Sequence, residues 1–317
     1  MFLSVSRRTD IPAYYSEWFF NRIDEGFCYT QNPFNKNQIS KIIINPDVID
    51  GIVFWTKNPK PMISNLSLLK DYPYYFQFSI TAYEKNLEKN LPSKNSIINT
   101  FKELSELIGK ERVIWRYDPI LITPIYTFQK HYIHFEILAK LLKDYTNKVI
   151  FSYVDFYTKI KKNLKELQVQ ELNCLQKEEI AKNLSDIAKT YGLQIESCCE
   201  DINLEKYGIN HAHCIDEKLF EKIANRKFSI KKDSFQRKEC GCVQSQDIGM
   251  YNTCNNHCLY CYATYNKEST QKNILQHDKN SPLLIGSVPE NIKILEKKVV
   301  LHTIKENQLS LFNNSKF

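Results

Sequence analysis

Residues 254–261 read Cys-Asn-Asn-His-Cys-Leu-Tyr-Cys, and these three cysteines, spaced x3 then x2, are the side chains best suited to do chemistry. Thiolates at that spacing can wrap one face of a [4Fe-4S] cubane, ligating three irons and leaving the fourth open. An open iron can bind the amino and carboxylate groups of S-adenosylmethionine (SAM), whose sulfonium then accepts an electron and breaks homolytically. Tyr260, directly before the last cysteine, would set an aromatic ring near the adenine. The competing chemistry is zinc, held by Cys258 and Cys261 together with Cys240 and Cys242, since paired thiolates suit that ion too.

Cysteine placement extends the argument. Cys28 and Cys174 are isolated, whereas Cys198, Cys199, Cys214, Cys240, Cys242, Cys254, Cys258 and Cys261 fall within 64 residues. In a reducing compartment such clustering favours metal thiolates over disulfides. Cys198 or Cys199, with Cys214, Cys240 and Cys242, supplies four further thiolates. They suit an auxiliary [4Fe-4S] cluster, a structural zinc, or plain burial as small core residues. If the chain is still extended there, Cys199 points away from Cys198. His211 and His213 are expected as polar loop residues, and His257 as a neighbour of the cluster or an exposed side chain.

The cluster-loop spacing, with its aromatic residue before the third cysteine, resembles the signature of the radical SAM superfamily. In most of that superfamily the motif follows the first barrel strand, whereas here it lies beyond the sixth. Other segments resemble the spore photoproduct lyase-like "DNA repair photolyase" branch. They are Phe54-Trp55-Thr56-Lys57-Asn58, Phe78-Ser79-Ile80-Thr81 followed by Leu87-Glu88, Trp115-Arg116-Tyr117-Asp118-Pro119-Ile120, and Tyr260-Cys261-Tyr262-Ala263. The whole chain is similar to a bacterial family of unknown function. That family carries Gln236-Arg237…Cys240-Gly241-Cys242…Ser245…Asp247-Ile248-Gly249-Met250-Tyr251 just before its cluster loop. The resemblance implies Lys57 and Ser79 near the SAM carboxylate and Arg116 near the carboxylate or ribose. A half-buried carboxylate independently needs such charge-assisted partners. The alternative for Arg116 is a salt bridge to Asp118 or Asp155. Between Cys198 and Cys199, Cys198 fits the family pattern better.

The elements that must position these groups alternate. Apolar, β-branched or aromatic runs predict strands at Phe2–Ser6, Gly51–Trp55, Tyr74–Thr81, Val113–Tyr117, Val149–Val154 and Leu193–Glu196. Ile97, Phe101, Leu104 and Ile108 recur at helical spacing, as do Ile180, Leu184, Ile187 and Tyr191. Helices should stop near Gly26 and Gly192. The stretch FCYTQNPFNKNQISKIII reads as a hairpin turned at Asn32–Asn35. Six strand–helix units predict an α/β fold, a partial (β/α)6 barrel of the radical SAM type, with a doubly wound open sheet as the alternative. The expected division is a barrel over 1–234, a cysteine-rich cluster-binding extension over 235–265, and a polar, lysine-rich extension and tail over 266–317.

Barrel chemistry sits at strand C-termini, and the polar groups there are Arg7, Arg8, Thr9, Asp10, Thr56, Lys57, Asn58, Ser79, Thr81, Arg116, Asp118, Asp155, Glu196, Cys198 and Glu200. Together they predict a pocket for a charged, zwitterionic ligand. Arg7 and Arg8 could meet phosphate. Cys199, Tyr117 and Tyr153 are the candidates to return a hydrogen atom to a substrate radical.

Near the end, Gln308-Leu309-Ser310-Leu311-Phe312 looks like the pentapeptide that docks bacterial DNA proteins on the β sliding clamp. Its apolar anchors Leu309, Leu311 and Phe312 suit a preformed pocket. The 317 residues are 43% hydrophobic and 25% charged, which excludes a disordered, collagen-like or coiled-coil protein. No apolar run reaches the roughly 18 residues of a membrane span, and the start lacks a signal peptide's order, so a cytoplasmic protein without a membrane partner is expected. The +7 charge weakly favours a polyanionic partner. The leading expectation is a radical SAM enzyme acting on DNA, a flipped base being the target, with flavodoxin or ferredoxin as electron donor. The alternatives are a zinc-bearing nucleic-acid adaptor tethered to the clamp, and a radical enzyme acting on a small metabolite.

Overall fold

The structure, a computed structural model, describes residues 1–304. Gln308, Leu309, Leu311 and Phe312, which carry the clamp-docking expectation, lie outside the described residues. Eleven strands form two sheets among them: β1 (Phe2–Val5), β2 (Phe27–Asn32), β3 (Asn35–Ile43), β4 (Gly51–Thr56), β5 (Tyr74–Ser79), β6 (Val113–Ile120), β7 (Lys148–Tyr153), β8 (Gln194–Ser197), β9 (Asn210–His211), β10 (Gln246–Asp247) and β11 (Ile294–Glu296). The main sheet is wholly parallel, in the order β10-β1-β4-β5-β6-β7-β8-β9. The fold is therefore α/β, with an eight-stranded parallel sheet flanked by helices. Sequence periodicity predicted six of these strands. The other two, β9 and β10, are two residues each and too short to carry a period.

Helices form where predicted. The helix over Lys94–Ile108 starts with the Ser93 side chain accepting from the Ser96 amide and buries Ile97, Phe101 and Leu104. The one over Cys174–Thr190 opens with a capping box of Asn173 and Gln176 and buries Ile180, Leu184 and Ala188. The helix Ser16–Glu25 stops at Gly26. The expected hairpin is the antiparallel pair β2–β3, and β11 joins β3 to complete a small second sheet.

Strand pleat divides the main sheet into two unlike faces. One face carries Leu3, Val5, Phe54, Phe76, Phe78, Trp115, Tyr117 and Phe151, all buried under the helices in the larger core. The opposite face is graded along the strands. Near the strand N-termini it is apolar: Phe2, Val53, Tyr75, Ile114 and Ile150 pack on Ile215 and on Phe220 of the helix Glu217–Ala224. The Phe220 ring lies 4.7 Å from Phe2 and 4.9 Å from Tyr75. Burying a ring of this size is worth about 1.5–3 kcal/mol, so it seals that end firmly. Toward the strand C-termini the same face turns polar, through Ser4, Gln77, Arg116, Ser152 and Cys198.

The segment 235–265 is joined to the sheet rather than appended to it. β10 pairs with β1, Leu3 opposite Gln246 and Ser4 opposite Asp247. Asp247 then gathers the end of β1, accepting from Ser4 Oγ (2.9 Å), Ser6 Oγ (2.6 Å) and the Arg7 amide (2.9 Å). Gly249 follows because nothing larger fits: a Cβ there would stand 2.0 Å from Ser6 Oγ. The 279–281 segment lies against the helix Ser16–Glu25, where Trp18 Nε1 donates to the Ser281 carbonyl at 2.8 Å.

Candidate metal and cofactor site

The cluster loop is framed on every side by groups distant in sequence. Its neck closes where the Asn252 amide donates to the Ala263 carbonyl. Asp10, buried at the end of β1, accepts from Thr56 Oγ1 (2.7 Å), the Lys57 amide (2.8 Å) and Asn256 Nδ2 (3.1 Å). Burial raises its carboxyl to about 6 despite these donors. Tyr14 donates to Asn256 Oδ1 at 2.7 Å, Asn90 Nδ2 to the Asn255 carbonyl at 2.7 Å, and Asn163 Nδ2 to the Leu259 carbonyl at 2.9 Å. Cys258 also bridges to Glu88 in a short antiparallel contact, and the Leu259 amide donates to the Leu87 carbonyl. Sequence spacing showed the three cysteines, but not this frame.

Glu88 is the centre of the frame and was not among the predicted site residues. Its carboxylate takes Lys57 Nζ at 2.8 Å, Lys94 Nζ at 2.9 Å, Thr81 Oγ1 at 2.9 Å and the Tyr260 hydroxyl. Burial by itself would push this carboxyl up; the two ammonium groups, Lys57 foremost, hold it at about 2. Lys57, expected at a SAM carboxylate, thus has its charge engaged by Glu88, and Tyr260 has its hydroxyl tied down two residues after Cys258. The signal for Glu88 was only its place in the Phe78–Glu88 stretch. A lone acid in a loop has no periodicity to mark it.

The three loop thiols lie close enough to raise one another. Burial comes first in pushing Cys254, Cys258 and Cys261 upward, and the neighbouring thiols add to it at Cys254. Opposing it are backbone N–H donors: Asn256 to Cys254, and Ala263 and Thr264 to Cys261. Amide donors aimed at sulfur are what an anionic, metal-bound thiolate needs. In type and setting, the donor set fits an iron–sulfur cluster.

A second thiol set lies across the mouth of the same face. Cys198 Sγ is 3.4 Å from Cys214 Sγ, and Cys240 and Cys242 line the same wall with their thiols near enough to shift one another's pKa and that of Cys214. Tyr75 and Gln77 both donate to the Cys214 carbonyl, at 2.7 and 2.9 Å. Arg116 donates from Nη1 to Cys214 Sγ at 3.0 Å, from Nε to Asp118 at 3.0 Å, and lies 5.3 Å from the Trp55 ring centre. Burial would raise Asp118, but Arg116 keeps it below its ordinary value. Arg116, expected at a cofactor carboxylate, is therefore engaged by Asp118 and by a thiol. Among the described residues, no three His, Cys, Asp or Glu side chains surround a single point as ligands of one ion would. The second set meets as a chain of contacts.

One cavity of about 450 Å³ joins the two sets, within the range of small-molecule sites. Tyr260, Cys261 and Tyr262 line one side. Cys198, Cys199, Cys214, Cys240 and Cys242 line the other. Arg7, Arg8, Arg116 and Arg237 contribute cations, and Asp118, Asp155 and Asp247 acids; of the charged strand ends expected there, Lys57, Asp10, Glu196 and Glu200 do not line it. Ser79 is opposite Arg116 in the sheet register but is not a cavity residue.

The hydrogen-donor candidates separate. Tyr117 is on the other face, bonded to His131 Nδ1 at 2.8 Å and packed on Phe135, because its position on β6 alternates with Arg116. It is withdrawn from the site. Tyr153 touches the cavity, but its hydroxyl donates to the Lys177 carbonyl. Cys199 remains: half-buried, in the cavity wall, with φ of 62°. That left-handed backbone carries a strain rarely borne by a residue with a side chain. His211 and His213 are exposed.

The polar strand ends of a parallel α/β sheet thus meet a framed three-cysteine loop beside a charged cavity. Residues 2–263 match the family model described as a domain of unknown function (DUF1848), and the chain belongs to that family. No curated protein matches the chain at a significant level.

Proposed function

We propose that this chain is a radical SAM enzyme whose cluster is held by Cys254, Cys258 and Cys261. The observation that carries the reading is the loop itself: three thiols at x3–x2 spacing, anchored from β1, the 81–91 segment and Asn163, opening on a cavity at the strand C-termini. When bound, a [4Fe-4S] cluster there supplies the electron that cleaves SAM to methionine and a 5′-deoxyadenosyl radical. The chain's own part is positional. Glu88 fixes Tyr260, Asp10 fixes Asn256, and amides face the sulfurs of Cys254 and Cys261. Sequential order of β1, β4, β5, β6, β7 and β8 supports a partial barrel of the superfamily type, with the loop supplied from the C-terminal side. With Lys57 and Arg116 already paired, Arg7 and Arg8 are the further cations of the wall, Arg8 with its Nε 4.0 Å from Asp247.

The substrate we infer is a nucleotide unit of DNA, extruded or single-stranded. The cavity rim is aromatic and basic: Phe235 is 94% exposed, Tyr157 and Tyr262 rings stand 5.5 Å apart, and Arg237 lies beside them. Lys159 lies 4.7 Å from the Tyr265 ring. Exposed rings interleaved with cations suit stacking on bases and tracking of a phosphate backbone. The resemblance to photolyase-like proteins agrees with this.

The test is 5′-deoxyadenosine formation. Anaerobically reconstituted full-length protein with dithionite and SAM should release it, and Cys258→Ala should abolish the release. No 5′-deoxyadenosine from a wild-type protein carrying its full iron and sulfide would refute the reading.

A further inference from the structure

The second thiol set carries features that the cluster loop does not explain. Its members come from three separate places: Cys198 just past β8, Cys214 after β9, and Cys240 and Cys242 ahead of β10. Each is pinned by backbone. The Cys214 carbonyl takes two side-chain donors, the Cys242 carbonyl accepts from the Asp233 amide, and the Cys240 amide donates to the Arg237 carbonyl. Gly241 between the last two has no room for a side chain, since a Cβ would stand 2.5 Å from the His213 ring. None of the four is in a disulfide.

The charge around the set is the telling observation. Arg116 donates to Cys214 Sγ at 3.0 Å while it also pairs with Asp118, Arg7 lines the same wall as Cys214 and Cys242, and Arg237, in that wall with Cys198 and Cys199, pairs with Asp155 at 2.9 Å. With its charge met by Asp118, the buried Arg116 still aims an N–H at sulfur, the kind of outer partner that a metal-bound thiolate uses. A metal tetrathiolate does need such neighbours, because four thiolates on a divalent ion or on an oxidised cubane leave a net charge of about −2. At the cluster loop, Lys57 and Lys94 both pair with Glu88.

We propose that Cys198, Cys214, Cys240 and Cys242 form a second metal centre, a four-thiolate site for a soft metal as zinc or an iron–sulfur cluster, facing the same cavity as the cluster loop. Metal binding replaces the thiol protons, and the set then gathers around the metal instead of meeting as a chain. Four protein thiolates would close the coordination, so this centre holds the wall together and borders the substrate without offering an open position. The inference does not depend on the radical SAM reading.

The test separates the two. The triple variant Cys254→Ala/Cys258→Ala/Cys261→Ala, purified anaerobically as the full chain, should retain metal: about one zinc, or about four irons with matching sulfide, per chain. Zinc without sulfide identifies a mononuclear site; iron with sulfide identifies a cluster. Adding Cys240→Ser and Cys242→Ser should remove that metal. As a check that needs no folded second variant, native alkylation of the triple variant read by mass spectrometry should show Cys240 and Cys242 protected until a chelator is added. No metal bound to the triple variant after both zinc incubation and iron–sulfide reconstitution, or equal labelling with and without chelator, would overturn the proposal. Loss of SAM cleavage with this metal retained would leave it standing.

Discussion

The two cysteine sets reach one cavity, the loop through Cys261, but are built on opposite plans. The cluster loop is local in sequence and supported from outside: Cys254, Cys258 and Cys261 lie within one turn of chain, and Asp10, Glu88, Asn90 and Asn163 reach in to hold it. The second set is assembled from three segments of the chain and supported from within, by Arg116 bonded directly to a sulfur. Cations follow the same division. Lys57 acts on the first set through Glu88, so its charge is settled before any ligand arrives. Arg116 bonds a sulfur of the second directly, with its charge paired to Asp118.

That contrast is open to substitution. Glu88→Gln should have the largest effect, because it strands Lys57 and Lys94 and frees Tyr260 at once. Glu88 is held near 2 in the fold against an ordinary 4.5, so its contribution is complete above pH 4.5 and lost as pH falls toward 2. The size is about 3 kcal/mol. Urea unfolding of variant and wild type across pH 3–7 should show a gap that is widest near neutrality and narrows in acid. A gap independent of pH would mean that the carboxylate is not what holds the loop. Arg116→Lys should act on the second set alone, lowering its metal affinity by about 10- to 100-fold, as loss of an outer-shell partner does. Chelator competition on the triple cluster-loop variant measures this, and an unchanged affinity would separate Arg116 from the thiols. Phe235→Ala should be smallest in the fold and visible only with nucleic acid. At 94% exposure the ring contributes little stability, while a stacked base is worth about 1–3 kcal/mol. Fluorescence anisotropy with a single-stranded oligonucleotide should show weaker binding at unchanged Tm. Equal binding would take this ring out of the substrate surface.

What was legible in the sequence follows the same division. The six long strands, the hairpin and the helices over 94–108 and 174–190 declared themselves because their burial repeats along the chain. The loop cysteines declared themselves because their x3–x2 spacing is local. The cysteines of the second set showed only as a crowding of one residue type; their meeting depends on β8, β9 and β10 being brought to the same sheet, which no local pattern records. Lys57 and Arg116 were identified as cations at strand ends. The alternative of a salt bridge from Arg116 to Asp118 is the one formed, whereas Glu88 for Lys57 and Cys214 for Arg116 are partners that only tertiary contacts supply. Tyr117 was assigned to the site from a strand end, and one step of pleat puts it on the far face with His131. Asp10 was named as one of many polar ends. Only its donors from Thr56, Lys57 and Asn256 show it as an anchor of the cluster loop.

The account rests on Cys254, Cys258 and Cys261 holding a cluster that binds SAM. Its most direct test is electron paramagnetic resonance of the dithionite-reduced, anaerobically prepared full chain, with and without SAM, alongside iron, sulfide and zinc content. The account predicts a reduced [4Fe-4S] signal whose g-values shift on adding SAM and which is absent from the triple cluster-loop variant. Zinc without sulfide, or a cluster signal that SAM leaves unmoved, would contradict it.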